Sequence, residues 1–361
     1  METVGRTANR HNYLDLIRAL SCVLVVAIHV SAVDFDILSY TSFEWSIARL
    51  INCIGMNGVP LFFMISGALL LNSEYQLSTK KLFFDKIGKL LLAYLLTCFF
   101  YNLVPFFRGW VPFEWYYIKE CLLEGTIYGI GLYHVWFIPV LLGIYLLLPV
   151  LRTAFAKKEN CEYFLLLFFI AGIVLPTLQL FELPGQIDRF LSHLRDNYFV
   201  GMITGYVGYF VLGHYLHSFV TFEWNRKKGV IVAALTVIAI LATYAGCLMD
   251  SFKTGITSSL FNTPFSINLA VGSQGIFLLA KHLGSKIQSQ KALRVIRNFA
   301  SYTLGIYLLH PFVINTFETI TKVNYIPVYL ISILLRWMVV IVVTFSIVFC
   351  VKKIPGIKKL I

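Results

Sequence analysis

The stretch LDLIRALSCVLVVAIHV, Leu14 to Val30, is apolar enough to cross a bilayer as a helix, yet it contains Asp15, Arg18 and His29. About 20 apolar residues, rising about 1.5 Å each, span the hydrocarbon core. An ionisable side chain at that depth costs about 2.5–3.5 kcal/mol on insertion scales, so it needs a partner, a water-filled cavity or a task. Helical geometry sorts these three. Arg18 and His29 are eleven residues apart, which puts them about 20° apart around the axis and about 16 Å apart along it. Asp15 lies within about 60° of Arg18. One face of the helix thus carries a cation towards one membrane surface and an imidazole towards the other. An Asp15–Arg18 pair snorkelling to the surface, with a packed His29, would explain each residue alone. Two such groups on one face favour a functional stripe, and a neutral imidazole suits a general base.

The remainder of the chain belongs to the same class. Of 361 residues, 58% are hydrophobic and 13% charged, against about 25% charged in soluble domains. The composition predicts an all-α polytopic membrane protein. Apolar runs fall near residues 14–33, 46–71, 86–105, 132–151, 163–181, 199–218, 229–249, 259–280, 299–320 and 327–351, giving ten expected transmembrane helices. The first run lacks a small-residue cleavage pattern and is expected to remain as a span. With a cytoplasmic N-terminus, twenty of the 30 Lys and Arg fall in inner segments and six in outer ones. Arg18, Arg49, Lys89 and Arg336 lie within spans. This asymmetry predicts both termini in the cytoplasm. It also accounts for the net charge of +12 without nucleic acid. The seven cysteines form no CxxC and mostly sit in apolar runs, so neither a disulfide framework nor a metal site is indicated. No internal repeat is evident.

Other spans carry polar groups of their own. In NGVPLFFMISGALLL, Gly58 and Pro60 loosen the helix at mid-membrane, and Asn57 and Ser66 can serve the freed backbone. In YHVWFIPVLLGIYLLLP, His134 and Trp136 sit where an aromatic belt is expected. ASYTLGIYLLHPFVINTFE places Tyr302, Tyr307 and His310 in one span, with Pro311 disturbing the backbone at the histidine. Arg336 lies at a similar depth, which implies a cavity, an anion or an acidic partner, and Glu318 is the acid the sequence offers.

Arg18 and His29, in an R-x10-H spacing, resemble the first-span signature of the acyltransferase-3 family of membrane O-acyltransferases. VPLFFMISG resembles that family's second-span motif, and HVWFIPVLL and SYTLGIYLLHP its fourth-span and late-span segments. The four segments occur in order and cover nearly the whole chain, implying a single membrane domain over residues 1–361.

The resemblance implies transfer of an acyl group, most often acetyl from acetyl-CoA, to a hydroxyl of an extracytoplasmic sugar. Surface polysaccharides, their lipid-linked precursors and peptidoglycan are the usual acceptors. Carried over by position, the essential pair falls on Arg18 and His29. Ser66 and Gly67 match the second motif, and Tyr302, Tyr307 and His310 the late one. No permanently bound cofactor is expected. Acyl-CoA is a polyanionic cytoplasmic donor that Arg18, with Lys89 or the basic 281–297 segment, would hold. His29 would then be general base or transient acyl carrier. Asn57, Ser66, Tyr302 and Arg336 are oxyanion-donor candidates, and His134 and Trp136 face the acceptor side. The rival readings are a transporter or flippase for a lipid-linked glycan, whose sites also use midplane polar groups and broken helices, and a membrane sensor without catalysis.

Overall fold

In a bilayer each segment must satisfy its own backbone N–H and C=O groups, so apolar runs of this length fold as helices. The computed structural model describes residues 11–72, 78–120, 123, 125–128, 133–181, 183–197, 205–221, 223–321 and 329–355. Arg6, Arg10, Cys121, Lys322, Lys358 and Lys359 lie outside the described residues. Every regular element among those described is helical. The first three are α1 (Asn12–Ala32), α2 (Phe43–Met56) and α3 (Gly58–Leu70). Next come α4 (Gly88–Phe107), α5 (Phe137–Leu146), α6 (Leu148–Ala154) and α7 (Lys158–Leu167). They are followed by α8 (Gly185–Asn197), α9 (Tyr206–Ser218), α10 (Arg226–Thr254) and α11 (Ile267–Ser285). The last are α12 (Gln290–Ala300), α13 (Thr303–Thr321) and α14 (Tyr329–Val351).

Among the described residues, six continuous helical stretches are long and apolar enough to cross a membrane: Asn12–Asp36, Phe43–Leu70, Thr79–Phe107, Lys158–Leu178, Arg226–Thr254 and Tyr329–Val351. The pair α5 and α6, bent by 62°, makes a seventh if it is one broken span. Six of the ten expected spans are therefore matched by a continuous helix, and a seventh by the bent pair if it is one span. The other three, near 199–218, 259–280 and 299–320, contain α9, of 13 residues, and α11 and α13, of 19 each. α9 is too short to span alone. α11 and α13 are diluted by polar residues that serve the interior; Asn268 of α11, for instance, donates to the Phe261 carbonyl at 3.0 Å.

The chain divides into two compact units. The first holds Met1–Tyr75, Leu151–Thr303 and Asn324–Ile341, the second Gln76–Val150, Leu304–Val323 and Val342–Ile361. In the first unit α1 packs against α2, α3, α11 and α12, while α3 packs along α9. Small residues set the last crossing: a Cβ on Gly67 would collide with the backbone of Phe210, and one on Gly213 with that of Met64. Close backbone approach of this kind is how helices associate where lipid supplies no hydrophobic drive. Lys281 closes the end of α9, its ammonium donating to the carbonyls of Leu216 at 2.6 Å and Val220 at 3.0 Å. It thereby satisfies carbonyls that a helix end leaves open.

The second unit joins α4, α5, most of α13 and the end of α14. Pro311 interrupts the hydrogen-bond ladder of α13. The Tyr101 hydroxyl of α4 repairs the next rung, donating to the Leu308 carbonyl at 2.9 Å and accepting from the Phe312 N–H at 3.1 Å.

Candidate functional site around the first helix

Arg18 and His29 are both half-buried on one face of α1. Between them on that face lie Cys22, 2% exposed, and Val25, 5% exposed. The stripe is therefore open at its two ends and packed in the middle. Leu16, Leu20 and Val23, also half-buried, lie on the opposite side of the axis. Arg18 approaches Asp15 at 3.8 Å, with 32% of its own side chain exposed. Asp15 itself is buried, at 6% exposure, so the pair joins a buried carboxylate to a partly exposed guanidinium that can also face an anion from water.

The turn bearing His29 is held from α2. Asn52, 4% exposed, donates to the Ile28 carbonyl at 2.9 Å and to the Ser31 hydroxyl at 3.0 Å. Its own amide oxygen accepts from Asn262 at 2.8 Å. The Ser31 hydroxyl donates back to the Ala27 carbonyl at 2.7 Å. Gly55 and Gly58 bring the α2–α3 junction onto the same helix: a Cβ on either would lie 2.8 Å from α1, against Leu24 O and Leu24 Cβ respectively. This network was not read from the sequence; its signal is the Asn52–Gly55–Gly58 spacing of three, which lines up one helical face.

Asn57 is the hinge residue of the second motif. Fully buried, it donates to the Cys53 and Ile54 carbonyls at 3.1 Å and accepts from Ser273 at 3.3 Å. It thus stabilises the α2–α3 break. Ser66 is half-buried and donates to the Phe62 carbonyl at 2.9 Å.

At the far end of α1 the chain continues as a 3-10 turn, Val33–Asp36, which carries Asp34 inward to zero exposure. Arg336, 6% exposed, grips Asp34 with both Nη groups, Nη1 to Oδ1 at 3.0 Å and Nη2 to Oδ2. The Tyr329 hydroxyl donates to the same Oδ2. The sequence pointed to Glu318 for this arginine, while Asp34 falls one residue past the first apolar run, 14–33. A second buried arginine, Arg49 at 1% exposure, has aromatic neighbours, its guanidinium carbon 3.8 Å from the Phe35 ring centre and 5.3 Å from that of Trp45.

At the near end of α1, α12 borders a polar cavity of about 340 Å³ lined by Gln290, Arg294, Arg297, Asn298 and Ser301. Arg297 donates to Asn12, the first residue of α1, at 2.6 Å, and its buried Nε has no hydrogen-bond partner among the described residues. Two guanidinium groups beside amide and hydroxyl donors suit phosphate.

The late-span residues gather in the second unit. His310 is fully buried and its Nδ1 bonds the Tyr307 carbonyl at 2.7 Å, which makes Nδ1 the protonated nitrogen. Tyr307 donates to the His134 carbonyl, and the His134 ring lies 5.0 Å from Tyr101 and 6.0 Å from His310 between centroids. Trp136 is 40% exposed. Lys89 pairs with Asp85 at 3.5 Å, both about half exposed. Tyr302 is half-buried just ahead of α13.

Residues 11–352 match the acyltransferase-3 family, described as an acyltransferase domain. The chain belongs to this family. It is thus a multi-pass membrane protein of an acyltransferase family. Among curated relatives, a probable poly-beta-1,6-N-acetyl-D-glucosamine export protein of Staphylococcus aureus is 22% identical over 316 residues, covering 86% of this chain and 84% of that protein. An amino-acid racemase of Enterococcus faecalis is 24% identical over 353 residues, covering 93% of this chain but 45% of the racemase. No solved structure matches.

Proposed function

We propose that this acyltransferase-3 protein moves an acyl group, acetyl first of all, from cytoplasmic acyl-CoA to a hydroxyl of an extracytoplasmic sugar in a cell-surface glycan or its lipid-linked precursor. Ten spans with both termini in the cytoplasm remain the proposed topology. One observation carries the reading. Arg18 and His29 are the accessible ends of a single, otherwise packed face of α1, and a two-arginine cavity lies at the Arg18 end.

In this scheme Arg294 and Arg297 receive the phosphates of the donor, and Arg18 releases Asp15 to orient the thioester arm. The acceptor hydroxyl approaches His29, whose neutral ring takes the hydroxyl proton as the oxygen attacks the thioester carbon. Collapse of the tetrahedral adduct breaks the carbon–sulfur bond, and the imidazolium returns its proton to the departing CoA thiolate. In the two-step variant the imidazole nitrogen attacks the thioester carbon and the carbon–sulfur bond breaks, the ring N–H proton passing to the CoA thiolate; the sugar hydroxyl then attacks the acyl-imidazole and its proton goes to the released imidazole. Because Cys22 and Val25 close the middle of the face, donor entry requires that segment to part.

Asn52 is the positioning residue for His29 in this account. Asn57 and Ser66, bonded to neighbouring carbonyls, support the helix break, and Arg336 is engaged by Asp34. Oxyanion stabilisation therefore falls to Tyr302 or to backbone N–H groups freed at the α2–α3 break. His134, Trp136, Tyr307 and His310 remain acceptor-side residues.

Export of a lipid-linked glycan is the second reading, favoured by the name of the staphylococcal relative. Mass spectrometry of surface glycan from cells expressing wild type or His29→Ala separates the two. Loss of O-acyl groups with export intact supports the enzyme. Loss of export with acylation unchanged supports the exporter.

A further inference from the structure

The second unit contains a groove of about 320 Å³ between α4, α13 and α14, walled by Ala93, Thr97, Phe100, Gly305, Phe312 and Val351 among others. Its one hydroxyl, on Thr97, is spent on the Ala93 carbonyl at 2.7 Å. Nothing in the wall can orient a sugar or a nucleotide, and water there would lack partners. The groove takes hydrocarbon. At one end Phe100 of α4 and Phe312 of α13 meet edge to face, centroids 5.3 Å apart, which closes the channel after a limited length.

The opposite end is cationic. Lys89 lies one helical turn before Ala93, with Lys86 beside it, and Lys352 and Lys353 follow directly on Val351. The acid in this group is Asp85, 3.5 Å from Lys89, both side chains well exposed. Such a pair is weak and leaves Lys89 available. Lys86, Lys89 and Ala93 follow one another along one face of the chain leading into α4, whereas Lys353 rests over Phe349, which does not line the groove, at 4.4 Å from its ring centre.

An apolar channel with a basic mouth is complementary to one ligand class. We propose that this groove is a binding site for an anionic glycerophospholipid, one acyl chain lying between α4 and α13 and its phosphate held by Lys86, Lys89 and Lys352. Basic clusters beside transmembrane helices recognise acidic headgroups through this combination. A long polyprenyl phosphate shares the head chemistry, but the Phe100–Phe312 closure favours the shorter chain. The site does not depend on acyl transfer.

The test uses the full-length protein purified in neutral detergent, with phosphatidylglycerol and phosphatidylcholine of identical chains as probes. Native mass spectrometry is expected to retain phosphatidylglycerol at least about 10-fold over phosphatidylcholine, with a matching selective rise in Tm. The preference should fade in molar salt, a check that needs no variant. It should also vanish in the Lys86→Ala, Lys89→Ala, Lys352→Ala triple variant. Ala93→Phe, which fills the channel, should reduce retention of both lipids. Equal retention of the two lipids by wild type, or a preference untouched by salt and by the triple variant, overturns the site. Displacement of phosphatidylglycerol by equimolar polyprenyl phosphate overturns the phospholipid assignment.

Discussion

Two aspartate–arginine pairs flank the first helix; both carboxylates are buried, and the pairs differ in how the arginine is held. Asp15 and Arg18 lie a turn apart on α1, 3.8 Å from each other, with the arginine one-third exposed. Asp34 and Arg336 come from sequence positions 302 residues apart, are buried, and meet through both Nη groups with Tyr329 completing the carboxylate's shell. The first pair is loose and local, so a polyanion arriving from water can take its arginine. The second is closed, and its value is to fasten α14 to the end of α1, as the Trp337 indole does midway along by donating to the Val23 carbonyl at 3.0 Å. Depth in the membrane does not tell a working arginine from a structural one. The quality of its partner does.

The largest effect expected from this contrast is on stability. Asp34→Ala strands a buried guanidinium and should cost about 3–5 kcal/mol. Thermal unfolding in detergent should show a large drop in Tm for Asp34→Ala and for Arg336→Ala alone. The double Asp34→Leu, Arg336→Met variant should recover much of it, since an apolar replacement leaves no unpaired charge. If the single variants unfold like wild type, the pair is not the fastener described.

Next in size is Asn52→Leu. It leaves the Ile28 carbonyl and the Asn262 amide without their partner, a loss of about 1–3 kcal/mol. It should also lower acyl transfer by up to about 100-fold, because a small misplacement of a reacting group has that consequence. A KM for acyl-CoA near wild type alongside a reduced kcat marks the effect as positioning.

Arg18→Ala should behave in the opposite sense to Asp34→Ala. The Tm should move less than for Asp34→Ala, since the Arg18 guanidinium is one-third exposed and its contact with the buried Asp15 is long. Affinity for acyl-CoA should fall about 10-fold or more, as a charge-assisted hydrogen bond to an anion is worth about 1.5–3 kcal/mol. The smallest change is expected for Asp15→Asn, with Tm unchanged and donor binding equal to or slightly tighter than wild type. Weaker binding on removing Asp15 would mean that the aspartate positions Arg18 rather than competing for it.

These contrasts also explain what could be read from the residues alone. The Arg18–His29 face followed from helical periodicity, and the break at Asn57–Gly58 from the glycine and proline beside it. Asp34 was missed because span ends were drawn where hydropathy fell, whereas the helix runs on through a 3-10 turn and carries the acid inward. The runs near 199–218, 259–280 and 299–320 were read as spans from composition, whereas α9 has 13 residues and α11 and α13 carry polar groups such as Asn268, Ser273 and His310 that lower their hydropathy. The arginine cavity on α12 was legible only as a basic segment, since its form depends on the packing of α12 against the start of α1.

The central claim is that His29 handles the acceptor proton or carries the acyl group. The direct measurement is transfer of labelled acetyl from acetyl-CoA to surface-glycan acceptor by purified, reconstituted protein, wild type beside His29→Ala at matched Tm. The account predicts that the variant loses about 10²–10⁴-fold in transfer while still binding acetyl-CoA. Acetylation at the wild-type rate by correctly folded His29→Ala would contradict it.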